Sequence, residues 1–208
     1  MTVRVKICGI NDAAAFDAAV EAGADWLGFV FFQRSPRYVT PEQAAILSAR
    51  TAGGPSRVGL FVDPTNAAIE AVLGTLRLDA LQLYVDAERA RDVGARFGVP
   101  VWRAIGVASP MDLPTEAEGV ERIVLEAKPP HSATRPGGNA TAWDWSLLRD
   151  WRAPSPWILA GGLSPENVAT AIRATGAIAV DVSSGVEAAP GVKDRDLIQS
   201  FVQAARQA

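Results

Sequence analysis

Val3-Arg4-Val5-Lys6-Ile7-Cys8, followed by Asp12–Ala22 and a stop at Gly23, sets the reading of the whole chain. The first run is short and β-branched, apolar at alternate positions. The second has helix composition and ends on glycine. The same alternation returns seven more times. Apolar runs at Trp26–Phe31, Val58–Val62, Ala80–Tyr84, Val101–Val107, Arg122–Glu126, Trp157–Ala160 and Ile178–Val182 each precede a longer stretch. Those stretches are Pro41–Ala49, Thr65–Leu76, Ala87–Phe97, Met111–Glu118, Ser146–Trp151, Pro165–Ala174 and Asp194–Ala205. Thr40 fits an N-cap before Pro41. Met111–Glu118 is broken by proline, and a long loop precedes Ser146–Trp151. Strands alternating with helices form right-handed crossover units and a parallel sheet. Eight units predict one α/β domain over residues 1–208, a closed (β/α)8 barrel (TIM barrel). An open doubly wound sheet is the alternative.

Composition narrows the function classes. The formal net charge is -3, with acids and bases interspersed, so the chain lacks the basic stripe of a nucleic-acid surface. Cys8 is the one cysteine, which excludes an intramolecular disulfide and a cysteine metal cluster. His131, the one histidine, lies in Pro129-Pro130-His131-Ser132 and reads as exposed or as part of a lid. Asn139-Ala140-Thr141 fits the glycosylation pattern, a chance match without secretion. No apolar run reaches membrane-spanning length, and Met1–Cys8 reads as a strand rather than a signal peptide. A cytoplasmic location, with no membrane and no nucleic-acid partner, is the expectation. No phosphate-binding Walker motif or dinucleotide fingerprint is present, and no metal site is expected.

In a barrel the chemistry sits at the C-terminal ends of the strands, where the loops after Phe31, Glu126 and Val182 are long. Side-chain alternation assigns faces. Val3, Val5 and Ile7 suit the helix side, which turns Lys6 and Cys8 to the barrel axis. In the eighth run Ala179, Asp181 and Ser183 turn inward by the same rule. The first and eighth strands adjoin in a closed barrel, so Lys6 and Asp181 are expected to pair; an unpaired buried lysine costs several kcal/mol.

Four features bear on chemistry. Cys8 reads either as a small buried hydrophobe or as a thiolate base whose pKa Lys6 would lower. Glu126 reads either as a salt-bridge partner of Lys128 or as a general acid raised by burial. Arg37, in Arg34-Ser35-Pro36-Arg37-Tyr38, is a solvated loop charge or a clamp on a carboxylate. Glycine turns follow the last three strands: Gly137-Gly138-Asn139, Gly161-Gly162-Leu163-Ser164 and Ser183-Ser184-Gly185. Backbone N–H groups in such turns hold phosphate in barrels.

At these residues the sequence resembles the phosphoribosylanthranilate isomerase family. The matching segments are Lys6–Ile10, Ser35–Val39, Val58–Val62, Leu159–Val168, Asp181–Glu187 and Gly191–Asp194. The resemblance implies an Amadori rearrangement of N-(5′-phosphoribosyl)anthranilate in tryptophan biosynthesis, with no cofactor. By resemblance Cys8 is the base at C2′ and position 126 the acid at the ring oxygen. Arg37 holds the anthranilate carboxylate, and Gly137, Gly138, Gly161, Gly162, Ser183, Ser184 and Gly185, with Asp181, line the substrate site. The partner is a small phosphorylated substrate, and the assembly a monomer or homodimer. Three positions depart from the family pattern. Glu126 replaces its aspartate, Tyr84-Val85 its His-Gly, and Ala140 the last glycine of a Gly-Gly-Ser/Thr-Gly turn. They leave open a paralogue that acts on, or merely binds, another phosphorylated carboxylate. Glu126 facing Cys8 across an open pocket favours catalysis; Tyr84 filling that pocket favours a binding relic.

Overall fold

The structure, a computed structural model, describes residues 2–128 and 143–208. Eight parallel strands close into a barrel in chain order. They are β1 (Arg4–Cys8), β2 (Trp26–Val30), β3 (Ser56–Val62), β4 (Ala80–Tyr84), β5 (Val101–Val107), β6 (Arg122–Ala127), β7 (Trp157–Leu159) and β8 (Ala179–Val182). β8 pairs with β1, so Lys6 lies beside Asp181 in register. An open sheet is thereby excluded.

Among the described residues six α-helices cover the strands: α1 (Ala13–Glu21), α2 (Pro41–Ser48), α3 (Asn66–Leu73), α4 (Ala87–Phe97), α5 (Val168–Thr175) and α6 (Arg195–Arg206). Their starts are written in the sequence. Asp12, Thr40, Thr65, Asp86 and Asp194 each accept a hydrogen bond from the first turn, and Thr40 with Gln43 forms a capping box. Each cap contributes about 1 kcal/mol.

Two expected helices are replaced by 3-10 turns, Pro110–Asp112 after β5 and Trp145–Leu148 after β6. Asp112 accepts from the N–H groups of Ala108 and Ser109, which ties the first stretch into a turn, and Pro114 follows at once. In the second, Trp143, Trp145, Leu148 and Trp151 cover the barrel wall where a helix would otherwise pack.

The apolar side chains divide as the alternation predicts. Val3, Val5 and Ile7 pack outward with Phe16, Ile198 and Phe201 of the helices. Trp26, Val58, Trp102, Val124, Ile158 and Ala179 fill the axis. Trp26 and Trp102 meet edge to face at 5.2 Å, with Arg4 stacked 3.9 Å over Trp26 and Arg122 over both rings. This cluster plugs the N-terminal end. Above it, Cys8, Val30 and Leu60 begin the open end. After β8, a 3-10 turn (Ser184–Val186) leads into an antiparallel hairpin, β9 (Glu187–Ala189) and β10 (Val192–Lys193).

Candidate active site

The open end holds a pocket, continuous with solvent, which Cys8, Arg37, Glu126, Asp181 and Ser183 line together. Cys8 and Lys6 sit on alternate inward positions of β1, both buried. Lys6 Nζ donates to Asp181 Oδ1 at 3.0 Å. Asp181 and Cys8 hold the lysine pKa above its ordinary value, against burial. Burial also pushes the Cys8 thiol up, and this outweighs the lowering by Lys6. Lys6 thus lowers the thiol pKa as expected of a neighbouring cation, but desolvation of a buried thiolate exceeds its pull. Gly28 makes room for this corner. A Cβ there would stand 2.8 Å from Cys8 Sγ and 3.2 Å from Lys6 Nζ.

Glu126, one residue before the end of β6, has its carboxyl buried, and Oε1 has no hydrogen-bond partner among the described residues. Burial pushes its pKa up to about 8, moderated by the Tyr84 hydroxyl. At neutral pH the group is mostly a neutral acid, a proton donor. The alternative bridge to Lys128 does not form: Lys128 Nζ pairs with Asp112 at 3.1 Å. Tyr84 belongs to β4, and the intervening strand β5 presents Gly106 beside Glu126 in register. No side chain thus separates the phenol from the carboxyl. Tyr84 lines the wall, and the pocket stays open.

Arg37 is buried rather than solvated. Its Nε and Nη2 donate to Glu187 Oε1 and Oε2 at 2.7 and 2.8 Å. Lys193 Nζ donates to the same Glu187 Oε1 at 2.7 Å and to the Ser183 carbonyl at 2.8 Å. Two cations hold the Glu187 carboxyl down at about 2, against burial. Arg37 Nη1 makes no hydrogen bond among the described residues, and Arg37 lines the pocket.

The turns after β7 and β8 supply the other wall, through Gly161, Gly162, Leu163, Ser183 and Ser184. Gly161 and Gly162 adopt φ of 82° and 66°, conformations that favour glycine. The N–H groups of Gly162 and Leu163 find no acceptor among the described residues. This is a donor surface suited to an anion. Gly185 does not line the pocket: it packs against the Leu163 carbonyl, where a Cβ has no space. Its role is to bring the two turns together. Gly137, Gly138, Ala140 and His131 lie outside the described residues. The sequence reading did not single out Glu187, Lys193 or Gln82 as site residues. The first two stand inside matched segments, but the bond from Arg37 to Glu187 spans 150 residues, a link no local pattern carries.

Comparison with known proteins follows this geometry closely. A family model described as N-(5′-phosphoribosyl)anthranilate (PRA) isomerase matches residues 5–204. An N-(5′-phosphoribosyl)anthranilate isomerase of Acidiphilium cryptum is 59% identical over 205 residues, covering 99% of each chain. One from Granulibacter bethesdensis is 52% identical over the full length of both. Among solved structures, phosphoribosyl anthranilate isomerase from Thermotoga maritima superposes with a TM-score of 0.85 at 38% identity, covering 99% of this chain and 100% of that one. An isomerase in complex with reduced 1-(o-carboxyphenylamino)-1-deoxyribulose 5-phosphate superposes with a TM-score of 0.82 at 37% identity, with the same coverage.

Proposed function

The chain belongs to the N-(5′-phosphoribosyl)anthranilate isomerase family, and from that membership we propose that Cys8 and Glu126 are the base and acid of its reaction. The activity is the isomerisation of N-(5′-phosphoribosyl)anthranilate in tryptophan biosynthesis. The observation that carries the residue assignment is one pocket bearing a neutral buried carboxyl, a thiol beside a lysine, and a carboxylate-seeking guanidinium.

The steps follow from where the protons are. Glu126 gives its proton to the furanose ring oxygen as the C1′–O bond breaks. The electron pair on the substrate nitrogen moves to C1′, forming a cationic imine. Cys8 reacts as the thiolate, the form that Lys6 favours and burial opposes. The thiolate then removes the C2′ proton, and the C2′–H pair becomes the C1′–C2′ double bond of an enolamine. Protonation at C1′ and loss of the enol proton give the aminoketone. Atoms and electrons balance within the substrate, so the scheme uses no cofactor.

Binding is divided among the rim elements. Arg37 faces the anthranilate carboxylate with the edge that Glu187 leaves unused. The N–H groups of Gly162 and Leu163 with the Ser183–Ser184 turn face the phosphate. Gly137 and Gly138 would join them from the loop after β6. We read the barrel as one domain and its place as the cytoplasm, in keeping with a biosynthetic role. Asp181 serves as counter-ion to Lys6 and lines the substrate pocket.

The test is growth of a tryptophan auxotroph that lacks this isomerase. The wild-type chain restores growth, and Cys8→Ala and Glu126→Gln do not. Restored growth with Cys8→Ala would remove the base assignment.

A further inference from the structure

We propose that Glu187 and Lys193 set the enzyme's preference for a carboxylate-bearing substrate: Glu187 aims Arg37, and Lys193 restores the positive charge that Glu187 cancels. The proposal rests on the reading of Arg37 as the carboxylate clamp. Arg37 alone is a long side chain with several rotatable bonds, and its fork is useful only if aimed. Glu187 takes Nε and Nη2 together at 2.7 and 2.8 Å, the two-point geometry that fixes a guanidinium plane. Gly9 makes room for this pose: a Cβ at that position would stand 2.6 Å from Arg37 Cδ and displace the stem. The guanidinium is thus pinned along one edge, with Nη1 left over.

Such a pin has an electrostatic cost. One guanidinium against one carboxylate is neutral, and a neutral pair attracts a substrate anion weakly. Lys193 resolves this. Its buried ammonium shares Glu187 Oε1 at 2.7 Å, so the three groups together carry a single positive charge. Glu187 and Lys193 are cross-strand partners in the β9–β10 hairpin, which makes the hairpin the carrier of the device. Lys193 Nζ also holds the Ser183 carbonyl at 2.8 Å, which ties the carboxylate end of the pocket to the turn at its other end. Neither residue lines the pocket, so both are positioning residues.

The test compares two substrates, N-(5′-phosphoribosyl)anthranilate and the corresponding phosphoribosyl-aniline, which undergoes the same rearrangement without the carboxylate. Glu187→Gln and Lys193→Gln are expected to lose at least about tenfold in kcat/KM on the anthranilate substrate, chiefly through KM, and to stay within about threefold on the aniline. Lys193→Arg is expected to recover most of the loss. Equal losses on both substrates, no loss on either, or failure of both Gln variants to unfold cooperatively would each overturn the proposal, since the network would then serve the scaffold alone. Arg37→Gln separates the two levels. If it is unselective between the substrates, the clamp reading itself falls. If it is selective while the Glu187 and Lys193 variants are not, only the present inference falls.

Discussion

Lys6 Nζ lies 3.0 Å from Asp181 Oδ1 across the seam where β1 meets β8, and both groups are buried. The pair joins the first strand of the ring to the last, directly beneath Cys8. Removing one partner of a buried pair leaves the other uncompensated. Lys6→Met is therefore expected to cost about 3 kcal/mol at pH 8 in urea unfolding. Burial raises the Asp181 pKa, so the stranded carboxyl takes up a proton more readily as pH falls. The same variant should accordingly lose less at pH 5 than at pH 8. A loss independent of pH would show that the pair contributes through packing alone.

Glu126 should behave as a stability cost that the activity requires. Its folded pKa of about 8 exceeds the ordinary carboxylate value, so the folded state binds the proton more tightly. Folding is then unpenalised below about pH 4.5, and stability falls as pH rises from there to about 8. Glu126→Gln removes the ionisation. It is expected to raise stability by about 4 kcal/mol at pH 8 while leaving it nearly unchanged at pH 4, with isomerase activity abolished. Unfolding curves at the two pH values, beside a turnover assay, check both halves.

The rate should peak on the alkaline side. The productive form needs a neutral Glu126 and an ionised Cys8, yet Glu126 titrates at about 8 and burial holds Cys8 above its ordinary value. The active protonation state is thus a minority at every pH. The profile of kcat/KM should rise to a limb near pH 8 and fall at a higher limb. The lower limb then belongs to the acid and the upper one to the base, the reverse of the usual assignment. A profile already flat from pH 6 to 8 would contradict this ordering.

Shortening the acid tests whether the pocket is built around glutamate. Glu126→Asp draws the carboxyl back toward β6 and away from Tyr84. A drop of roughly tenfold to a hundredfold in kcat with little change in KM is expected, the usual effect of a misplacement near 1 Å. An unchanged or higher kcat would mean that the extra methylene is idle.

Gly28→Ala should injure chemistry more than fold. The added methyl would meet Cys8 Sγ at 2.8 Å and Lys6 Nζ at 3.2 Å, so the thiol has to move. Overpacking of this kind costs about 1–3 kcal/mol. A loss of kcat beyond about tenfold, with the protein still folded by thermal unfolding, is the expected result.

The barrel was legible because its signal is local. Alternation in Val3–Cys8 assigned the two faces of β1, and every later strand was found within two residues of its position. The wall beyond β5 and β6 was not. Proline with Asp112 in one case, and tryptophans in the other, replace helices by side-chain interactions that leave no helical period. At the site, strand-end placement brought Cys8, Glu126 and Asp181 into view, and family resemblance gave Arg37 a partner chemistry. What holds Arg37 was hidden, because Glu187, with Lys193 on its Oε1, reaches it only after the ring has closed. The net pKa of Cys8 was hidden for a related reason: the sign depends on how completely the thiol is desolvated, and burial is a property of the fold.

The stopper of Trp26, Trp102, Arg4 and Arg122 makes the pocket a cul-de-sac. Traffic through the site is single-file: the ketose formed must depart by the mouth through which the aminoribose arrived. Arrival and departure compete for one doorway, so product inhibition should be competitive with substrate. An enzyme of this shape gains turnover by loosening its grip at the rim rather than by a second exit.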